Sequence, residues 1–438
     1  MATRPSSYAQ LRAHLAEPVD AASLVALRVL FGVLMMIAVA RFFANGWIAS
    51  YYLEPDRFFT YAGFEWVKPW PGIGMYVHFA AMGACALLVA LGRWYRPAML
   101  AFGALFAYAH LCDKTNYLNH YYLVIVLSFV MAWLPLGGLR GPATVPRAAL
   151  WAVRAQIAVV YVFGGIAKLQ PDWLFHAQPL TAWLAGAGDV PVVGPLLVHP
   201  WAPYLLSWGA ALFDLTIVAW LLWSRTRPFA YAVVILFHVL TARLFHLGMF
   251  PWIMTALATV FFAPDWPRRF LDWKPMAAAA RAPALGRVAT GVLAVHLALQ
   301  VLLPLRSFAY PGPALWNEEG IRFGWNVMVM EKSGVADFIV RDPDSGREWR
   351  MPATAYWTRY QASMMATQPD MVLEAAHVVA ADFRRRGVAH PEVRADVMVS
   401  LNGRPRARLV DPEVDLAAAG DTLLPYSWVL PPPQESPP

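Results

Sequence analysis

Lys168 has the strongest claim on chemistry in this chain. It closes the run VYVFGGIAKLQPDW, where a stretch apolar enough for a membrane helix meets Gln170, Pro171 and Asp172. An ionisable group at membrane depth is costly, which makes it a functional-site hypothesis by default. A lysine at a helix end can also snorkel to the interface. Gly164 and Gly165, one turn earlier, favour a site: they remove side chains and let a ligand or a second helix come close. Pro171 stops the helix just beyond. In a dry pocket the amine would lose its charge, because desolvation disfavours the ammonium and leaves a usable neutral base.

Two more polar clusters adjoin apolar runs. DKTNYLNH gathers Asp113, Lys114, Thr115, Asn116, Asn119 and His120, more hydrogen-bonding side chains than a plain turn needs. A lone histidine there is more often a satisfied core residue than a catalyst, but these neighbours favour a site. HVLTARLFHLGMF holds His238 and His246, eight residues or two helical turns apart. That spacing does not by itself indicate a metal site. Phe245, Met249 and Phe250 beside them suit a flat aromatic ligand, and equally suit ordinary packing.

These clusters need a scaffold, and composition says which. The chain has 438 residues, 59% of them hydrophobic and 14% charged, with a mean hydropathy of +0.44. Such a chain is too apolar for an ordinary soluble protein. We expect an α-helical polytopic membrane protein with about nine spans and a C-terminal β-rich extracytoplasmic domain. The spans are placed near 22–43, 72–92, 97–111, 117–136, 148–168, 203–223, 228–245, 250–264 and 286–304. The seventh and eighth could form one re-entrant pair. One set of connections carries Arg93, Arg96, Arg140, Arg147, Arg225, Arg227, Arg268, Arg269, Lys274 and Arg281. Basic residues favour the cytoplasmic side, so residues 1–21 form a cytoplasmic N-terminus and the three clusters fall at the outer side.

The membrane domain, 22–304, is followed by a charge-rich segment, 305–430, with strand patterns at Phe338–Val340, Arg347–Met351 and Val397–Leu401, and turn signals DPDSG and NG. A helical insertion near 355–386 ends in ADFRRRG, read as a solvated helix end, and 431–438 is a Pro-rich tail. Cys85 and Cys112 are read as core residues. The net charge of +7 is spread over loops and does not point to nucleic acid. No GxGxxG, P-loop, HExxH or GxSxG motif occurs.

Taken together, DKTNYLNHYYL, VYVFGGIAKLQPDW and FHVLTARLFHLGMF resemble, in order and separation, segments of the vitamin K-dependent γ-glutamyl carboxylase family. The membrane part of that family is shared with the HTTM group of transmembrane proteins. The likeness continues into FGWNVMVMEK, VRDPDSGRE and VMVSLNGRPRARLVDPEVDL. It implies a carbon–carbon lyase-class carboxylase with an epoxidase half-reaction: reduced vitamin K (phylloquinol or menaquinol) reacts with O2 while CO2 is added to a peptide glutamate, giving γ-carboxyglutamate without a metal. By the same resemblance Lys168 is the base toward the quinol and His120 assists the carboxylation stage. Asn119, His238, Phe250 and Met328 line the quinone site. A bacterial inner membrane, a periplasmic outer domain and a quinone reductase partner are further implications. Here Ala167 precedes a single Lys168, where animal members resemble the motif with two adjacent lysines. Two other readings stay open: quinol oxidation or epoxidation without protein carboxylation, and a non-catalytic quinone- or peptide-binding membrane protein.

Overall fold

A computed structural model describes residues 7–245, 247–271 and 285–433. His246, Lys274 and Arg281, the first six residues and the last five of the Pro-rich tail lie outside the described residues. Nine helices stand at the expected places: α1 (Ala22–Ala44), α2 (Gly74–Leu91), α3 (Tyr95–Leu111), α4 (Asn119–Ala132), α5 (Arg147–Ile166), α6 (Ala202–Leu222), α7 (Arg227–Leu244), α8 (Phe250–Ala258) and α9 (Arg287–Leu305). Among the described residues six helices are long and apolar enough to cross a membrane; α3, α4 and α8 are shorter. At 1.5 Å per residue the 14 residues of α4 reach only about 21 Å, against a hydrocarbon core of about 30 Å. Nine helices thus stand where nine spans are expected, but only six of them have spanning length.

The helices share one continuous core, in which Phe31, Met35, Phe79, Phe102, Leu127, Ile157, Ile217 and Met254 are buried. One charge inside it escaped the sequence reading. Arg28 of α1 is fully buried, and its guanidinium donates to the carbonyls of Leu136 (2.5 Å), Gly138 (2.6 Å), Leu139 (2.9 Å) and Ala90 (3.3 Å). These carbonyls lie at the end of α2 and in the chain that follows α4, so Arg28 ties both to α1 through four hydrogen bonds and no acid, with its Nε left unpartnered.

The C-terminal domain is a four-stranded antiparallel sheet. Its strands are β1 (Lys332–Arg341), β2 (Glu348–Pro352), β3 (Glu392–Leu401) and β4 (Ala407–Arg408), in the order β2-β1-β3-β4. Alternate residues Val393, Ala395, Val397, Val399 and Leu401 of β3 are buried, the period expected of a strand with one covered face. That cover is α11 (Pro369–Arg385), preceded by α10 (Arg359–Met365), with Met371, Val372, Ala375, Ala376, Val379 and Phe383 turned inward. Arg384, Arg385 and Arg386 are exposed at its end, as a solvated helix terminus should be.

Ion pairs and hydrogen bonds lock this domain onto the helices. Lys114 pairs with Asp370 (3.1 Å) and Glu374 (2.9 Å), Gln361 donates to Asp113 (2.7 Å), and Asp172 receives Arg404 (2.6 Å) and Asn402 (2.8 Å). Between α9 and β1 the chain turns back into the helical bundle. There Glu318, Phe323, Trp325 and Met328 all take positive φ (53–63°), an uncommon state for residues with side chains. Trp325 is 1% exposed and packs 5.0 Å from the Tyr122 ring, within the membrane-domain core.

Candidate active site

Lys168 follows the C-terminus of α5, and its amine points back at the bundle. Nζ donates to Asp214 Oδ2 (2.8 Å), to the Gly164 carbonyl (3.1 Å) and to the Val327 carbonyl (3.3 Å), and lies 5.3 Å from the centre of the Trp173 ring. The residue is 4% exposed. The amine is thus not the isolated group expected from sequence: a carboxylate from α6 faces it. Asp214 can come this near because α5 is bare where the helices touch. A Cβ on Gly165 would stand 2.7 Å from Leu215 Cγ and 2.9 Å from its backbone nitrogen, while one on Gly164 would sit in ordinary contact, 3.6 Å from Asp214 Oδ2. Gly165 thus admits the neighbouring helix, while Gly164 also borders a cavity.

The pair borders an apolar cavity of about 160 Å³ lined also by Trp173, Tyr161, Phe237, His238, Thr241, Phe250 and Met328. His238, on α7, is 2% exposed; its Nε2 is hydrogen-bonded to the Tyr161 hydroxyl (3.1 Å) and its Nδ1 has no partner. A second, larger cavity of about 710 Å³ adjoins the first and is lined by Asn119, His120, Arg41, Tyr51, Tyr121 and Arg243. Phe245, Leu247, Phe250, Val327 and Met328 border both. The Phe250 ring stands between the two histidines, 6.0 Å from His120 and perpendicular to His238 at 6.1 Å.

Comparison with known families gives two matches. The HTTM domain family matches residues 16–266. The family of the vitamin K-dependent gamma-carboxylase lumenal domain matches residues 286–435. The chain belongs to the vitamin K-dependent carboxylase family. No solved structure matches it.

Within this carboxylase-family frame, Lys168, His238, Phe250 and Met328 share the smaller cavity, whereas Asn119 and His120 face the larger one with Phe250 and Met328 as the common wall. Asn119 accepts from the Tyr117 hydroxyl (3.0 Å) and donates to the Asn326 carbonyl (3.0 Å), so it holds the re-entrant segment as well as facing the cavity. Met328 reaches the site because that segment, not the sheet, carries it inward. The DKTNYLNH cluster divides by role: Asp113 and Lys114 dock the outer domain, and only its last two polar residues, Asn119 and His120, line a cavity. Asp214, Tyr161 and Thr241 were not singled out from sequence. Asp214, an acid inside an apolar run, carried the same signal as Lys168.

Proposed function

We propose that the protein carboxylates the γ-carbon of peptide glutamate, with CO2 as the carbon source, in a reaction coupled to epoxidation of reduced vitamin K by oxygen. The observation that carries this is the Lys168–Asp214 pair at an apolar cavity, beside the unpartnered Nδ1 of His238 and one aromatic wall away from His120. Membership of the carboxylase family supports the same reading.

The residues present suit a quinol. The cavity is walled by Trp173, Phe237 and Phe250, which offer ring faces and edges, and Lys168, Thr241 and His238 border it with the polar groups a ring hydroxyl needs. Reduced vitamin K, once oxidised by oxygen, would supply a base far stronger than any side chain, whose pKa of about 10 or less cannot take a glutamate γ-proton. Lys168 Nζ passes a proton to Asp214 Oδ2, 2.8 Å away, and as a neutral amine then receives a hydroxyl proton of the quinol, so the pair takes up that proton without water. Phe250, Trp173 and Met328 keep the cavity dry, which protects any strong base from quenching. Asn119 and His120 stand on the side where the peptide would be held, and His120 would assist the carboxylation stage there. The re-entrant segment closes the site from the outer domain.

The test is anaerobic quinol addition to the purified full chain, followed by oxygen, labelled bicarbonate and a glutamate peptide. Epoxide and peptide-bound label should both appear and both vanish in Lys168→Ala. Neither product from the wild type would overturn the proposal, and epoxide alone from every glutamate peptide tried would reduce it to quinol oxidation.

A further inference from the structure

The larger cavity holds two cations without an acid. Arg41, in the last turn of α1, lies with its guanidinium carbon 5.3 Å from the centre of the Trp47 ring. The backbone at Gly248, with φ of 59°, is close enough that a Cβ there would stand 3.8 Å from Arg41 Nη1. Arg243, in the last turn of α7, borders the same space. Among the described residues neither side chain has an ion pair or a hydrogen bond, and none of the residues bordering the cavity is Asp or Glu. Arg41 is half-buried and Arg243 exposed at the mouth of this space, whereas the buried cations are compensated within the fold: Lys168 by Asp214, Lys114 by Asp370 and Glu374, Lys332 by Glu318, and Arg28 by four carbonyls. Like charges facing one cavity repel unless an anion joins them, and guanidinium planes suit carboxylates in bidentate geometry.

We infer that Arg41 and Arg243 form a carboxylate site that reads the glutamate side chain of the peptide substrate and later its dicarboxylate product. This deepens the carboxylase reading and rests on it. The site lies on His120's side of the Phe250 and Met328 wall, so a glutamate held by its carboxylate keeps its γ-carbon one bond from the anchored group and next to the wall of the quinol cavity. Loss of the γ-proton, to the base that quinol oxidation supplies, turns the carboxylate into a dianion. The carbon's electron pair then forms a C–C bond to CO2, and the side chain ends as a malonate with two carboxylates. Two guanidiniums match the charge at both stages, which is where fixed cations help a reaction most.

Equilibrium binding tests this without turnover. The full chain in phospholipid-free detergent, anaerobic and without quinol, is titrated with a capped peptide bearing one glutamate and with its glutamine and γ-carboxyglutamate counterparts. We expect wild type to prefer glutamate over glutamine at least tenfold and γ-carboxyglutamate more strongly still. The double variant Arg41→Gln/Arg243→Gln should lose both preferences while binding the glutamine peptide as wild type does, and Arg41→Lys/Arg243→Lys should recover part of them. An undiminished preference in the glutamine double variant, or none in wild type, overturns the site. So does a double variant whose only defect is weaker binding to anionic lipid nanodiscs, which would make the arginines interfacial anchors. Epoxide and label formed by a wild type whose preference ignores the arginines leaves the carboxylase reading intact. An arginine-dependent preference in a wild type that forms neither product sinks the carboxylase reading alone.

Discussion

At the scale of single residues, Asp214 changes what Lys168 can do. A lone buried ammonium has nothing to pass its proton to; the charged carboxylate 2.8 Å from Nζ can take that proton and leave the amine free to accept another. Asp214→Asn keeps a hydrogen-bond acceptor at Nζ and removes that charge, so epoxide formation should fall by about 100-fold or more, the scale of a general-base contribution, with helix content by circular dichroism unchanged. Phe250 separates the cavities, and its truncation addresses coupling rather than proton uptake. Phe250→Ala should raise the ratio of epoxide to carboxylated glutamate, because water reaches the base before the γ-proton does. An unchanged ratio would remove the wall from the argument.

At the scale of elements, the site depends on how closely α5 and α6 approach. Gly165 is the contact point, and both a side chain and a backbone nitrogen of Leu215 stand within 2.9 Å of where its Cβ would be. The backbone cannot yield as a side-chain tip can. Gly165→Ala should therefore push α6 away, cost roughly 1–3 kcal/mol as overpacking does, and take Asp214 out of reach of Lys168. Thermal unfolding and epoxide formation would both register it. Gly291→Ala on α9, where a Cβ meets nothing within 4 Å, is the control: it should leave epoxide formation unaltered and raise rather than lower the unfolding temperature. The helices themselves were legible in advance, since runs of apolar residues interrupted by Arg, Gly and Pro mark their ends. The end of α8 was not: the chain tightens to a 3₁₀ turn at Thr259–Phe261, where packing and not composition decides.

For the whole molecule, the outer domain is part of the site because it delivers the segment that bears Val327 and Met328. Its docking is electrostatic in large part. Burial alone would raise the Asp370 carboxyl, but Arg322 and Lys114 outweigh it and hold the group well below the usual carboxylate range. A depressed carboxyl stabilises the folded form above the unfolded-state pKa of about 4, and the benefit is lost as pH falls toward the lower folded value. The docked state should thus resist limited proteolysis at neutral pH and become susceptible in acid. Asp370→Asn should cost about 1.5–3 kcal/mol, as losing charged hydrogen bonds does, and flatten that acid dependence. Read alone, the sequence determined the membrane class, the positions of nine helices, the strand pattern of the outer domain and the three clusters that bear Lys168, His120 and His238, because hydropathy, period and helix-ending residues are local properties of the chain. Only the tertiary structure decided that Asp214 meets Lys168 across 46 positions of sequence, that Asp113 and Lys114 dock the outer domain, that a loop with four strained residues turns back into the bundle, and that Arg41 and Arg243 share one cavity. Each depends on two distant segments packing together, and distances of that kind are set by the sum of contacts between helices, which no local stretch of residues encodes.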